Sequence, residues 1–107
     1  MSSNQPLIHP PVNMPETRRY RLLELLRVDG PYVVGYLATE KEDGTPTTCL
    51  GTRWVDLTTH KVFPQSRGYA TWKELPDKDE VPYLKHLLDV TGTDNKAVLR
   101  LLDQLMP

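Results

Sequence analysis

Gln65, Arg67, Tyr69 and Trp72 crowd into the run FPQSRGYATWKELP between Phe63 and Pro76. Arg, Tyr and Trp concentrate binding energy at interfaces because they carry large area on few rotatable bonds and end in hydrogen-bonding groups. Gly68 permits a turn or bulge, and Pro64 confines the preceding strand to a sheet edge or a strand end. With Arg53 from a neighbouring strand and His60 from a preceding turn, the group Arg53, His60, Gln65, Arg67, Tyr69 and Trp72 suits non-covalent recognition of a ligand or protein partner. The competing reading makes the tryptophans core anchors of a small domain, Trp54 first.

A second group is Arg18, Arg19 and Arg21. On a helix, Arg18 and Arg21 would share a face and could meet phosphates, the basis of an alternative reading as a nucleic-acid-associated accessory protein that also uses the basic segment Arg53–Lys73. Solvation of that face beside Glu16 and Glu24 is the plainer account.

Covalent chemistry has less to work with. Cys49 lies inside a strand pattern, where the default is a small, inert, buried residue, and neither His60 nor His86 follows from spacing as its partner. His9, His60 and His86 are far apart, and the acidic runs at 40–43 and 77–80 contain Lys and lack the spacing of a calcium loop. The glycines are scattered rather than gathered in a phosphate-binding loop. No metal, cofactor or catalytic residue is expected, and an enzyme with an active site outside known motifs ranks last.

The whole chain bounds these readings. Its 107 residues, with 38% hydrophobic and 25% charged, suit one core. A net charge of −1 supplies no global field toward nucleic acid or an anionic membrane. One cysteine excludes an intramolecular disulfide. With no signal-like start and no apolar run of membrane-spanning length, the expectation is a cytoplasmic protein without a membrane partner.

The elements that would position these groups follow from periodicity. Residues 1–12 read as a flexible or docking N-terminal arm, and 13–107 as a single domain. In NMPETRRYRLLELLRVDGP, Asn13 reads as an N-cap with Pro15 and Glu16 in the first turn, and Tyr20, Leu22, Leu23, Leu25, Leu26 and Val28 as a wide apolar arc ending at Gly30-Pro31. That predicts an N-terminal helix. PYVVGYLATE, TTCLGTRWVDL and KVFPQ read as antiparallel strands. Alternation leaves apolar residues on both sheet faces, which calls for helices on one and the arm or a subunit on the other. Leu84, Leu87 and Leu88, then Val98, Leu101, Leu102 and Leu105, predict two further helices, N-capped by Asp79 and Thr93. The expected architecture is α+β: N-terminal helix, three- or four-stranded antiparallel sheet, C-terminal helical hairpin. The over-wide first helix and the two apolar faces predict a homo-oligomer, most simply a homodimer, acting as a small interaction or ligand-binding protein with its surface around Pro64–Trp72.

Overall fold

A computed structural model describes residues 7–106 of the chain. It is an α+β fold with an antiparallel sheet and two helices. Three long strands, β1 (Arg21–Asp29), β2 (Tyr32–Glu40) and β3 (Pro46–Val55), form a meander. The far edge of β3 is then shared by two short strands, β4 (Val62–Phe63) and β7 (Lys73–Glu74), which pair with different stretches of it. Between them lies a small separate hairpin of β5 (Gln65–Ser66) and β6 (Tyr69–Ala70). Helices α1 (Asp77–Leu87) and α2 (Asn95–Leu105) complete the chain as the expected helical hairpin.

The N-terminal helix does not form. Residues 13–17 run as extended chain, and the leucine-rich stretch is β1, an edge strand. The helix-like spacing comes from two irregularities in its pairing with β2, one between Leu22 and Glu24 and one between Leu25 and Arg27. Leu22, Leu25 and Val28 stand opposite Leu37, Gly35 and Val33, so they share one sheet face at a spacing of three rather than two. An extra residue in a strand shifts alternation by one position. Two such shifts produce a spacing that mimics a helix, and they also explain the over-wide arc: leucines at consecutive positions serve both faces or the edge.

One face is covered by the helical hairpin. Leu26, Val34 and Leu50 from the sheet pack with Leu84, Leu87, Val98, Leu101 and Leu102. The amphipathic spacing of α2 therefore reports core. Its N-cap is Asp94, whose carboxylate accepts the Ala97 N–H at 3.2 Å; the Thr93 hydroxyl instead donates to the Leu87 carbonyl at 2.7 Å, closing the end of α1. Helix α1 starts at Asp77, ahead of the expected Asp79 cap, and Asp77, Asp79 and Glu80 give its positive end an acidic first turn.

The opposite face holds Val33, Leu37, Cys49, Val55 and Val62, covered by Val12, Met14 and Tyr20 from the N-terminal segment and by Ala70 and Trp72 from the β5–β7 excursion. The N-terminal segment and the β5–β7 excursion thus cover this face, and the helical hairpin covers part of the other. Gly35 and Gly51 stand opposite each other here. A Cβ on Gly35 would lie 3.1 Å from Trp72 Cη2, and one on Gly51 3.2 Å from Trp72 Cβ. The paired glycines leave the room that Trp72 shares with Leu22 and Leu37. No helix of the described residues is long and apolar enough to cross a membrane.

Candidate functional site

The expected recognition group is divided by the fold. Arg53 and Trp72 do come together: the Arg53 guanidinium carbon lies 4.1 Å from the Trp72 ring centroid. Both are buried, however, and their partners come from the same chain. Arg53 Nη1 donates to Glu16 Oε1 at 2.8 Å, and Nη2 lies 2.9 Å from His9 Nε2. A guanidinium only donates, so Nε2 must accept and the ring proton sits on Nδ1, which donates to the Pro10 carbonyl at 2.9 Å. Burial, then the Arg53 charge, hold the His9 pKa below its ordinary value. The Arg53 side chain is 2% exposed whereas Glu16 is 51% exposed, so the bridge joins the core to the rim.

This cluster anchors the N-terminal segment. Asn13 N–H donates to His60 C=O, Ala70 N–H to Pro15 C=O, and Thr17 N–H to Ala70 C=O. Glu16, read as part of a capping box, is instead the carboxylate of this ion pair. His60 belongs to a tight turn with φ of 63° and contributes backbone, its N–H donating to Asp56 C=O. Gln65, Arg67 and Tyr69 lie exposed on the β5–β6 hairpin, whose two-residue loop has Arg67 at φ 51° and Gly68 at 82°. Positive φ at both loop residues is the twist that suits a two-residue hairpin.

Arg18, Arg19 and Arg21 do gather, with Lys41, around one groove, but Glu40 and Glu42 share its lining. Arg19 is further committed: its Nε donates to the Tyr20 hydroxyl at 2.9 Å, which donates to Glu74 at 2.9 Å. Cys49 is buried, and burial followed by the Glu74 charge pushes its thiol pKa up to about 12, so it stays protonated at neutral pH.

A different concavity, missed from sequence, lies on the helical face, where α1 reaches its rim only through Tyr83. It is a pocket of about 390 Å³. Its floor follows from strand register. Tyr32 on β2, Trp54 on β3 and Phe63 on β4 stand directly opposite one another and form an aromatic row across three strands. The Trp54 and Phe63 ring centroids are 6.1 Å apart, tilted by 47°. The adjoining row runs Arg27, Val34, Thr52, Lys73 over four strands. Tyr83 from α1, Pro64, Val33 and Arg53 complete the lining.

Charge and exposure distinguish this pocket from the core. Tyr32 is 56% and Phe63 48% exposed, a costly placement for large apolar groups unless something else covers them. Trp54, expected as the core tryptophan, is only half-buried here, and Trp72 takes the core position. Arg27 is braced by hydrogen bonds from Nε to Thr91 C=O and from Nη2 to Asp29, both at 2.8 Å. Lys73, at the other end, makes no ion pair among the described residues. The signal for the row was present in the sequence as alternation, but only the register between strands places three aromatics side by side.

Fold and site together define a small α+β domain that presents an open aromatic pocket flanked by cations. No family model, curated protein sequence or solved structure matches the chain.

Proposed function

We propose that this is a small-molecule-binding domain whose ligand is a planar aromatic group bearing a negative charge, held in the pocket on the helical face. The observation that carries the reading is the Tyr32–Trp54–Phe63 row, exposed within a concavity between two cationic side chains. Pockets of a few hundred Å³, mostly apolar with a few polar groups, suit small ligands. The rings offer stacking area at little entropic cost, Lys73 supplies a mobile ammonium, and Arg27 supplies a fixed guanidinium at the opposite end. This moves the expected surface from Pro64–Trp72 to its two ends, where Pro64 and Lys73 line the pocket.

Nucleic-acid association through Arg18, Arg19 and Arg21 is the less supported reading, since the two carboxylates sharing their groove oppose a polyanion.

The test uses naphthalene-2-sulfonate, a planar aromatic anion, titrated calorimetrically into the folded protein. Trp54 lies in the pocket and Trp72 in the core, so saturable binding heat is expected in the native protein and in Trp72→Phe, and weaker binding in Trp54→Ala. Lys73→Ala should weaken binding. Absence of saturable binding, or equal binding by Trp54→Ala, would overturn the assignment.

A further inference from the structure

The sequence-based reasons for expecting an oligomer lose force: the over-wide helix is a bulged strand, and segments of the chain itself cover one sheet face and much of the other. A separate feature points to self-association. Strand β1 is the outer strand of the sheet, and its outer edge is treated unequally along its length. At the Asp29 end, Val28 N–H donates to Gly92 C=O and Asp94 N–H to Leu26 C=O, so the α1–α2 connection caps the edge. Over Arg21–Leu25 no such cap exists among the described residues. Unpaired strand edges are templates for another strand.

We propose that two copies of the chain associate about a two-fold axis by antiparallel pairing of their β1 strands over Arg21–Glu24, joining the two sheets. The sequence of this stretch, Arg-Leu-Leu-Glu, is self-complementary when read against itself antiparallel. Arg21 of one copy falls opposite Glu24 of the other, and Leu22 opposite Leu23, at both ends of the axis.

The structure supports the sidedness that this register needs. Arg21 stands opposite Ala38 and Glu24 opposite Tyr36, positions of one parity on β2, so both charges lie on the helical face. The irregularity between Leu22 and Glu24 is what brings residues three apart to the same side. The two leucines between them are 38% and 42% exposed, and each gains an apolar neighbour on pairing. Arg21 has no ion-pair partner among the described residues. Glu24 already meets Arg100 of α2, a residue that is more than half exposed; in the dimer its carboxylate lies between two guanidiniums. A foreign strand would have to reproduce this charge order by coincidence, whereas a second copy supplies it by symmetry.

Charge exchange tests the register. Sedimentation equilibrium of the native chain should give a dimer. Arg21→Glu and Glu24→Arg each place like charges across the axis and should weaken association about tenfold or more, the scale of turning two attractive cross-strand pairs repulsive. Far-ultraviolet circular dichroism and thermal melting establish that each variant is folded. Mixing the two variants restores opposite charges at both ends and should recover a mixed dimer, as should the double exchange in one chain. A monomeric native chain at its highest soluble concentration overturns the proposal, as do single variants that dimerise like the native chain or folded variants that fail to associate when mixed.

Discussion

The two faces of the sheet each carry one tryptophan beside a cation from a neighbouring position, and they use the pair in opposite ways. On the face covered by the N-terminal segment, Trp72 packs against Gly35 and Gly51, with Arg53 over its ring and His9 and Glu16 on the guanidinium. On the helical face, Trp54 sits half-buried between Tyr32 and Phe63 at the floor of an open pocket. The difference shows that residue type does not decide whether an aromatic and a cation form a core or a surface. What decides is whether another segment of the chain reaches that face. The segment 7–20 ahead of β1 and the β5–β7 excursion close one side, while the helical hairpin is too short to cover the far end of the other.

The sharpest way to break this comparison is to truncate both tryptophans separately. Trp72→Ala should cost about 3–5 kcal/mol, the range for emptying a buried aromatic site, and Trp54→Ala about 1 kcal/mol, as expected for a half-exposed side chain. Guanidinium unfolding measures both. Equal losses would mean that the two faces are equally packed and that the pocket is part of the core.

A smaller and pH-dependent difference belongs to the covered face alone. His9 must be neutral to accept from Arg53, and burial with the Arg53 charge lowers its pKa from 6.5 on folding. Between 6.5 and that lower folded value the unfolded chain binds the proton more readily. The contribution to stability is therefore complete above pH 6.5 and declines as pH falls toward the folded pKa. The groups facing the imidazole, Arg53 and Glu16, act in opposite directions on it, with Arg53 the stronger. His9→Gln, whose amide oxygen can still accept, should remove this component of acid sensitivity. Ligand binding at the pocket should keep its pH profile in that variant. Identical acid-unfolding curves for the two proteins would show that the imidazole does not anchor the segment.

The smallest effect is expected at the hairpin beside Trp72. Arg67 holds φ of 51° in a loop whose other residue is Gly68, and Asn tolerates that region better than Arg. Arg67→Asn should raise stability by roughly 0.5 kcal/mol, read as a shift in the denaturation midpoint with unchanged slope. A loss of stability would mean that the Arg67 side chain makes a contribution that outweighs its backbone strain.

Local patterns carried part of the fold. Alternation in Tyr32–Glu40 and Pro46–Val55 named the two central strands, because neither contains an irregularity and their pairing runs in step throughout. The spacing of Val98, Leu101, Leu102 and Leu105 named α2, and Leu84 and Leu87 named α1. The stretch Arg21–Asp29 misled for a physical reason. Its two pairing shifts move leucines between faces, and a one-dimensional pattern cannot distinguish a bulged strand from a helix when the spacing is three. For the site, Arg53, Trp72, Gln65, Arg67 and Tyr69 were singled out by type, yet Gly35 and Gly51 on neighbouring strands decided that Trp72 would turn inward. Phe63 and Lys73 were read only as parts of the 63–76 run and Tyr32 only as a strand residue, because what joins them is register between strands.

The amino-acid sequence by itself determined the class of the fold, the two central strands, the helical hairpin and the burial of Cys49, all of which depend on interactions within a few residues or on burial of a single strand. Tertiary structure decided that the leucine-rich stretch is an edge strand, that Arg53 serves the N-terminal segment, and that Tyr32, Trp54 and Phe63 form one row. Those outcomes depend on register between strands and on which segment reaches a face first, and both are set by long-range packing that no local spacing encodes.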